Sequence, residues 1–179
     1  MTTVDHPPLY ARVTDECMRV GLIADTHGLL RPEARVFFMG CDYIVHAGDV
    51  GSRQILDELA TIAPLIAVKG NNDTQPWAAR LPETELVRIG HAFVYVVHDL
   101  NDLDIDLGAA KVSVVISGHS HKPKVAQRAG VLYINPGSCG PQRFKLPVCL
   151  GEMMVSDGAL SARVVDFSGA VHAATSPVV

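Results

Sequence analysis

Five apolar runs in this sequence each stop on residues that bind metals or turn the backbone. "MRVGLIA" leads into Asp25 and His27, "YIVHAG" into Asp49, "LIAVKG" into Asn71, "FVYVV" into His98, and "VVISG" into His119 and His121. Short continuous apolar runs rich in β-branched residues read as buried strands. Between the first three, "RPEA" and the stretch from Ser52 to Ala60 read as helices, and strand–helix alternation is the signature of a parallel sheet in an α/β domain. Ligands of such domains bind beyond the carboxyl ends of the strands. A lone Asp or His in that place caps a turn or a helix. Seven such residues behind five strands are hard to explain as punctuation.

The strands expected are Met18 to Ala24, Asp42 to His46, Leu65 to Lys69, the pair Thr84 to Ile89 and Ala92 to Val97 around Gly90 and His91, and Val112 to Ile116. Beyond them the chain alternates strands with Gly-centred turns, which predicts a β-rich, antiparallel C-terminal part. The expected picture is one α/β domain of two packed sheets with helices outside. In "GHSH" the histidines are two apart, a spacing that in extended backbone turns both to one side.

With 179 residues the chain holds one substantial core and not comfortably two. Its formal net charge of −4 argues against a general nucleic-acid surface. No apolar run reaches bilayer-spanning length, and "MTTVDHPPLYARVTDEC" lacks the pattern of a secretory signal. Cys17, Cys41, Cys139 and Cys149 form no Cys-x-x-Cys pair, so free and mostly buried thiols in a reducing cytoplasm are expected. Residues 1–17 read as a tail or an added edge strand near Tyr10 to Val13, with Met18 as an alternative start; 18–167 read as the domain and 168–179 as a C-terminal tail.

Asp, Asn and His without Cys suit hard-to-borderline divalent ions such as manganese, iron, zinc, nickel or magnesium. Seven protein ligands with one shared carboxylate serve two ions, the arrangement that holds both sides of a phosphoryl displacement. Asp25 and Asp49 bring −2 against roughly +4, which leaves a pocket that attracts phosphate.

"DTHG", "GD", "GN", a later His, "GHSH" and "NPGS" occur here in that order, and the chain resembles the calcineurin-like metallophosphoesterases, in particular the small single-domain bacterial and archaeal phosphodiesterases. The resemblance runs from Met18 to about Phe167. It implies a two-sheet β-sandwich flanked by helices, a four-layer αββα fold. It also implies that Asp25, His27 and His121 hold one metal, that Asn71, His98 and His119 hold the other, and that Asp49 bridges them. Asp49, Asn71 and His98 then act in catalysis as well. The implied activity is hydrolysis of small phosphate diesters by a hydroxide bridging two metals, manganese foremost, and the resemblance favours a dimer or larger homo-oligomer; composition and charge lead to the expectation of a cytoplasmic protein with no membrane and no general nucleic-acid binding. The alternatives are a phosphomonoesterase or nucleotidase on the same site, and a non-catalytic protein-binding scaffold of the same fold.

Two positions depart from the wider family. Asn72 stands where a His assists the reacting phosphate, and Asp99 and Leu100 follow His98 where Gly-His is common. His46 is expected to orient Asp49 from behind or to be a buried structural histidine, Asp73 and Asp99 to cap turns near the site, and Asn135 and Ser138 either to line the pocket or to belong to a turn set by Pro136 and Gly137. Trp77 is a stacking surface beside the site or a packed residue at a helix start.

Overall fold

The computed structural model describes residues 17–143 and 145–177, and the tail or edge strand expected over residues 1–17 falls outside them except for Cys17. Two mixed sheets pack face to face. The first has the strand order β11-β10-β9-β1-β2-β3, built from β1 (Met18–Ile23), β2 (Tyr43–His46), β3 (Leu65–Ala67), β9 (Cys149–Ser156), β10 (Ala159–Asp166) and β11 (Val171–Ala174). The second has the order β4-β5-β6-β8-β7, with β4 (Thr84–Ile89), β5 (Ala92–Val97), β6 (Val114–Ile116), β7 (Lys124–Arg128) and β8 (Val131–Asn135).

Alternation within the strands decides what each face buries. Val20, Leu22, Val45, Val94, Val96, Val114, Ile116, Leu132, Ile134 and Met153 fill the space between the sheets. The intervening residues Ile23 and Ile44 meet Ala34 and Phe38 of α1 (Pro32–Phe38) and Ile55 and Leu59 of α2 (Arg53–Ala60). Pro32 opens α1, where its missing N–H costs nothing. Ser52 caps α2 by accepting a hydrogen bond from the Gln54 N–H.

The outer face of the second sheet is covered by a segment with little regular structure. Tyr95, Val97, Val115 and Val131 pack there against Leu103, Ile105, Leu107 and Ala110, in a segment whose regular structure is one 3-10 turn over Leu100–Asp102. That segment lacks a helical repeat of apolar residues, so it covers the sheet as irregular chain. The C-terminal expectations need amendment. β8 is parallel to β6, although β7, β9, β10 and β11 pair antiparallel. Val171–Ala174, inside the segment read as a tail, forms the edge strand β11.

These pairings align β1, β2 and β3 of one sheet and β5, β6 and β8 of the other with their carboxyl ends at one end of the sandwich. Each sheet is parallel across those three strands.

Candidate metal centre

The turns behind those strand ends are left-handed. Asp25, His27, Asp49, His119 and His121 have φ of 53°, 45°, 54°, 62° and 57°. Non-glycine residues avoid this region, and clusters of it mark sites where side chains are aimed rather than merely accommodated. Here five of the seven candidate ligands adopt it. The backbone of "GHSH" is therefore not extended as expected: both histidines are left-handed and face different groups. His121 lies 3.3 Å from Asp25 through its Nε2, whereas His119 places Nδ1 3.1 Å from the Asn71 Oδ1.

Around Asp25, the His27 Nε2 lies 3.9 Å away and 3.3 Å from the His121 Nε2. Around Asn71, the His98 Nε2 and His119 Nδ1 each lie 3.1 Å from Oδ1. Asp49 Oδ2 stands between the two groups, 3.8 Å from the His27 Nε2 and 3.5 Å from the His98 Nε2. Donor atoms of Asp25, His27 and His121 all lie within 4.8 Å of one another, as do those of Asp25, Asp49 and His98. Asp25 is common to these two clusters, which link the residues around it to Asp49 and His98. All seven candidate residues are brought together.

Close backbone approach makes this possible. A Cβ on Gly48, whose φ is 89°, would sit 2.6 Å from the His98 Nδ1, and one on Gly70 would strike the Asp49 backbone and carboxylate. Only glycine lets these turns interlock.

The charge states follow from the contacts. The His98 Nδ1 lies 2.7 Å from the Ala47 carbonyl, which can only accept, so Nδ1 carries the proton and Nε2 faces the site. Burial pushes the His98 pKa down, but its bonds to Asp49 and Ala47 outweigh this and raise it above the ordinary value. Burial pushes the Asp49 carboxyl up, and hydrogen bonds from His98 and Asn72 more than reverse this, holding it below the usual carboxylate range. For His27, burial lowers the pKa against the pull of Asp49.

Asp25 is fully buried, and neither carboxylate oxygen has a hydrogen-bond donor among the described residues. A buried carboxylate without donors is costly, and a cation is the usual compensation. Oxygen and imidazole donors at these separations fit divalent ions.

Several surrounding residues act otherwise than the sequence indicated. Asn72 donates to Asp49 twice, from its backbone N–H at 2.8 Å and from Nδ2 at 2.6 Å. His46 does not touch Asp49. The Thr26 hydroxyl donates to the Val50 carbonyl, so it accepts from the His46 Nε2–H at 2.9 Å, and the buried His46 Nδ1 has no hydrogen-bond partner among the described residues. Burial lowers the His46 pKa to about 4, so the ring is neutral. Thr26 was not singled out from the sequence, where one hydroxyl within "ADTHG" carries no distinguishing signal. Asp73 caps the Gly70 N–H locally and also accepts from the Val50 and Gly51 N–H groups, fastening the β3 turn to the β2 turn. Asp99 caps Asn101 as expected and faces the His119 Nε2 at 3.4 Å.

Asn135 and Ser138 hold backbone. Asn135 Nδ2 donates to the Gly118 carbonyl at 2.5 Å and its Oδ1 accepts from the Gly137 N–H; the Ser138 hydroxyl donates to the Asp25 carbonyl. Trp77 is away from the centre. It packs at the start of the Pro76–Arg80 turn beside Leu65 and Leu81, along a groove of about 580 Å³ behind β3. Cys41, Cys139 and Cys149 are buried and Cys17 is exposed, so three of the four thiols match the expectation. Among the described residues, no helix is long and apolar enough to cross a membrane.

Two sheets whose strand ends pool carboxylate, amide and imidazole donors define a metallophosphoesterase fold. The chain belongs to the calcineurin-like phosphoesterase superfamily, whose domain model matches residues 18–157. A probable metallophosphoesterase of Methanothermobacter thermautotrophicus is 41% identical over 136 residues, covering 68% of this chain and 77% of that protein. The phosphodiesterase YfcE of Escherichia coli K12 is 28% identical over 166 residues, covering 76% and 87%. Among solved structures, vacuolar protein sorting 29 of Cryptosporidium parvum superposes with a TM-score of 0.75 over 90% of this chain and 98% of that one, at 21% identity. That last likeness is one of fold.

Proposed function

We propose that the chain is a dinuclear metal-dependent phosphodiesterase. The observation that carries this reading is Asp25, a buried carboxylate with no hydrogen-bond donor among the described residues, set among six further candidate ligands that offer oxygen or imidazole nitrogen. Relatives named as phosphodiesterases, YfcE and MJ0936 of Methanocaldococcus jannaschii, support the diester preference.

In this reading Asp25, His27 and His121 would hold one ion and Asn71, His98 and His119 the other, with Asp49 shared between them and manganese the first candidate metal. Divalent ions bound there supply water activation at neutral pH and neutralise charge developing on phosphate oxygens. The protein's own residues set the geometry. Ala47 fixes the His98 tautomer, Asn72 holds the Asp49 carboxylate, Ser138 holds the turn of Asp25, and Asn135 holds the loop carrying His119 and His121.

The test is hydrolysis of bis(p-nitrophenyl) phosphate and p-nitrophenyl phosphate by chelator-stripped protein resupplied with single divalent metals. Diester cleavage restored by metal and exceeding monoester cleavage is the expected result. Faster monoester cleavage would favour the phosphatase reading, and no hydrolysis with any metal would favour a scaffold.

A further inference from the structure

A second cavity lies on the outer face of the β6-β8-β7 sheet, with a character opposite to that of the chain as a whole. It encloses about 300 Å³ between Leu100, Ser117, Lys122, Lys124, Arg128 and Tyr133. Lys124 opens β7 and Arg128 closes it, opposite Asn135 and Val131 of β8, so both project from the face that carries Tyr133. Lys122 enters from the loop behind His121. Three cations line the cavity, no carboxylate does, and none of the three cations forms an ion pair with a described residue. The chain bears a net −4, so an uncompensated +3 in one hollow is a local reversal of its field.

The walls are apolar and aromatic as well as basic. The Arg128 guanidinium stands 5.9 Å from the Tyr133 ring centroid, and Leu100 covers the hollow from the 3-10 turn. Cations at the rim of an apolar hollow select an anion with an apolar body. The hollow is distinct from the metal-side pocket of about 380 Å³, where Asn71, His98 and His119 meet Asp99, Asp102 and Asp104. Ser120, between the two "GHSH" histidines, borders the basic hollow and accepts from Asn135 Nδ2 at 3.1 Å.

We propose that the hollow bounded by Lys122, Lys124, Arg128 and Tyr133 is a second binding site, for a small organic phosphate or phosphonate carrying an aromatic or aliphatic group. The anion pairs with the three cations, and the apolar group lies against Tyr133 and Leu100. This site does not depend on the hydrolytic reading, because none of these four residues is a candidate metal ligand.

The experiment titrates phenylphosphonate, which phosphoesterases do not cleave, into the 15N-labelled full chain supplied with magnesium, and follows amide shifts. Saturable shifts at Ser117, Ser120, Lys124 and Arg128 are expected, with affinity at least ~10-fold weaker in Lys124→Ala/Arg128→Ala and falling with added salt. The same spectra report whether the variant is folded, and Lys124→Arg/Arg128→Lys should retain binding. Shifts confined to Asp25, Asp49 and Asn71, an undiminished affinity in the alanine variant, or equal shifts with uncharged benzyl alcohol would overturn the proposal.

Discussion

At the scale of single residues, Asp49 and Asn72 form one unit. Asp49 faces histidines of both groups while Asn72 grips it with two donors. Asp49→Asn removes the charge facing both groups at once, so it should lower diester hydrolysis at least ~10²-fold and more than any single change among the other ligands. A steady-state comparison at saturating metal checks this, and retention of most activity would place the chemistry elsewhere. Asn72 has no proton to give up near neutral pH, so it cannot protonate a departing alkoxide. Aryl diesters, whose phenolates leave unaided, should therefore be cleaved much faster than alkyl diesters; equal rates with chemistry rate-limiting would reveal another acid. His46 makes a prediction about stability. Its folded pKa of about 4 lies below the ordinary 6.5, so between those values the unfolded chain binds the extra proton. The stabilisation is fully present above pH 6.5 and is lost as pH falls toward 4, a loss on the order of 3 kcal/mol from this group. Urea unfolding across that range should show a steeper acid decline for the natural chain than for His46→Gln. Parallel curves would contradict it.

At the scale of elements, the strand ends were legible because continuous apolar runs stop abruptly on polar residues, as "FVYVV" stops at His98. The candidate ligands were legible for the same reason. What aims them was not, since it depends on backbone conformation and on contacts between distant turns. "GHSH" gives no sign that both histidines turn left-handed, and "NPGS" does not reveal that Asn135 reaches back to the Gly118 carbonyl. That clamp is testable. Asn135→Ala takes the donors from Gly118 and Ser120 and the acceptor from Gly137, and should cost about 1–3 kcal/mol while weakening metal binding. Denaturant unfolding and metal titration on one preparation would measure both. An unchanged affinity would mean that the His119 and His121 loop holds itself.

At the scale of the whole molecule, the two-sheet architecture explains why the candidate ligands come from so far apart in sequence. Each sheet contributes three parallel strands, and packing the sheets against a shared apolar core brings six turns to one end. The expectation of two sheets was legible from strand count and alternation. The irregular cover of the outer face, with its Leu103, Ile105 and Leu107, was not, because spaced apolar residues without helical or strand period announce burial but no shape. The account rests on the claim that this end of the sandwich holds two ions. Metal analysis of the full chain prepared with manganese tests it most directly. Close to two ions per chain, falling on chelation and reduced in Asp49→Asn, is the result predicted; a single tightly held ion, unaffected by Asp49→Asn, would contradict it.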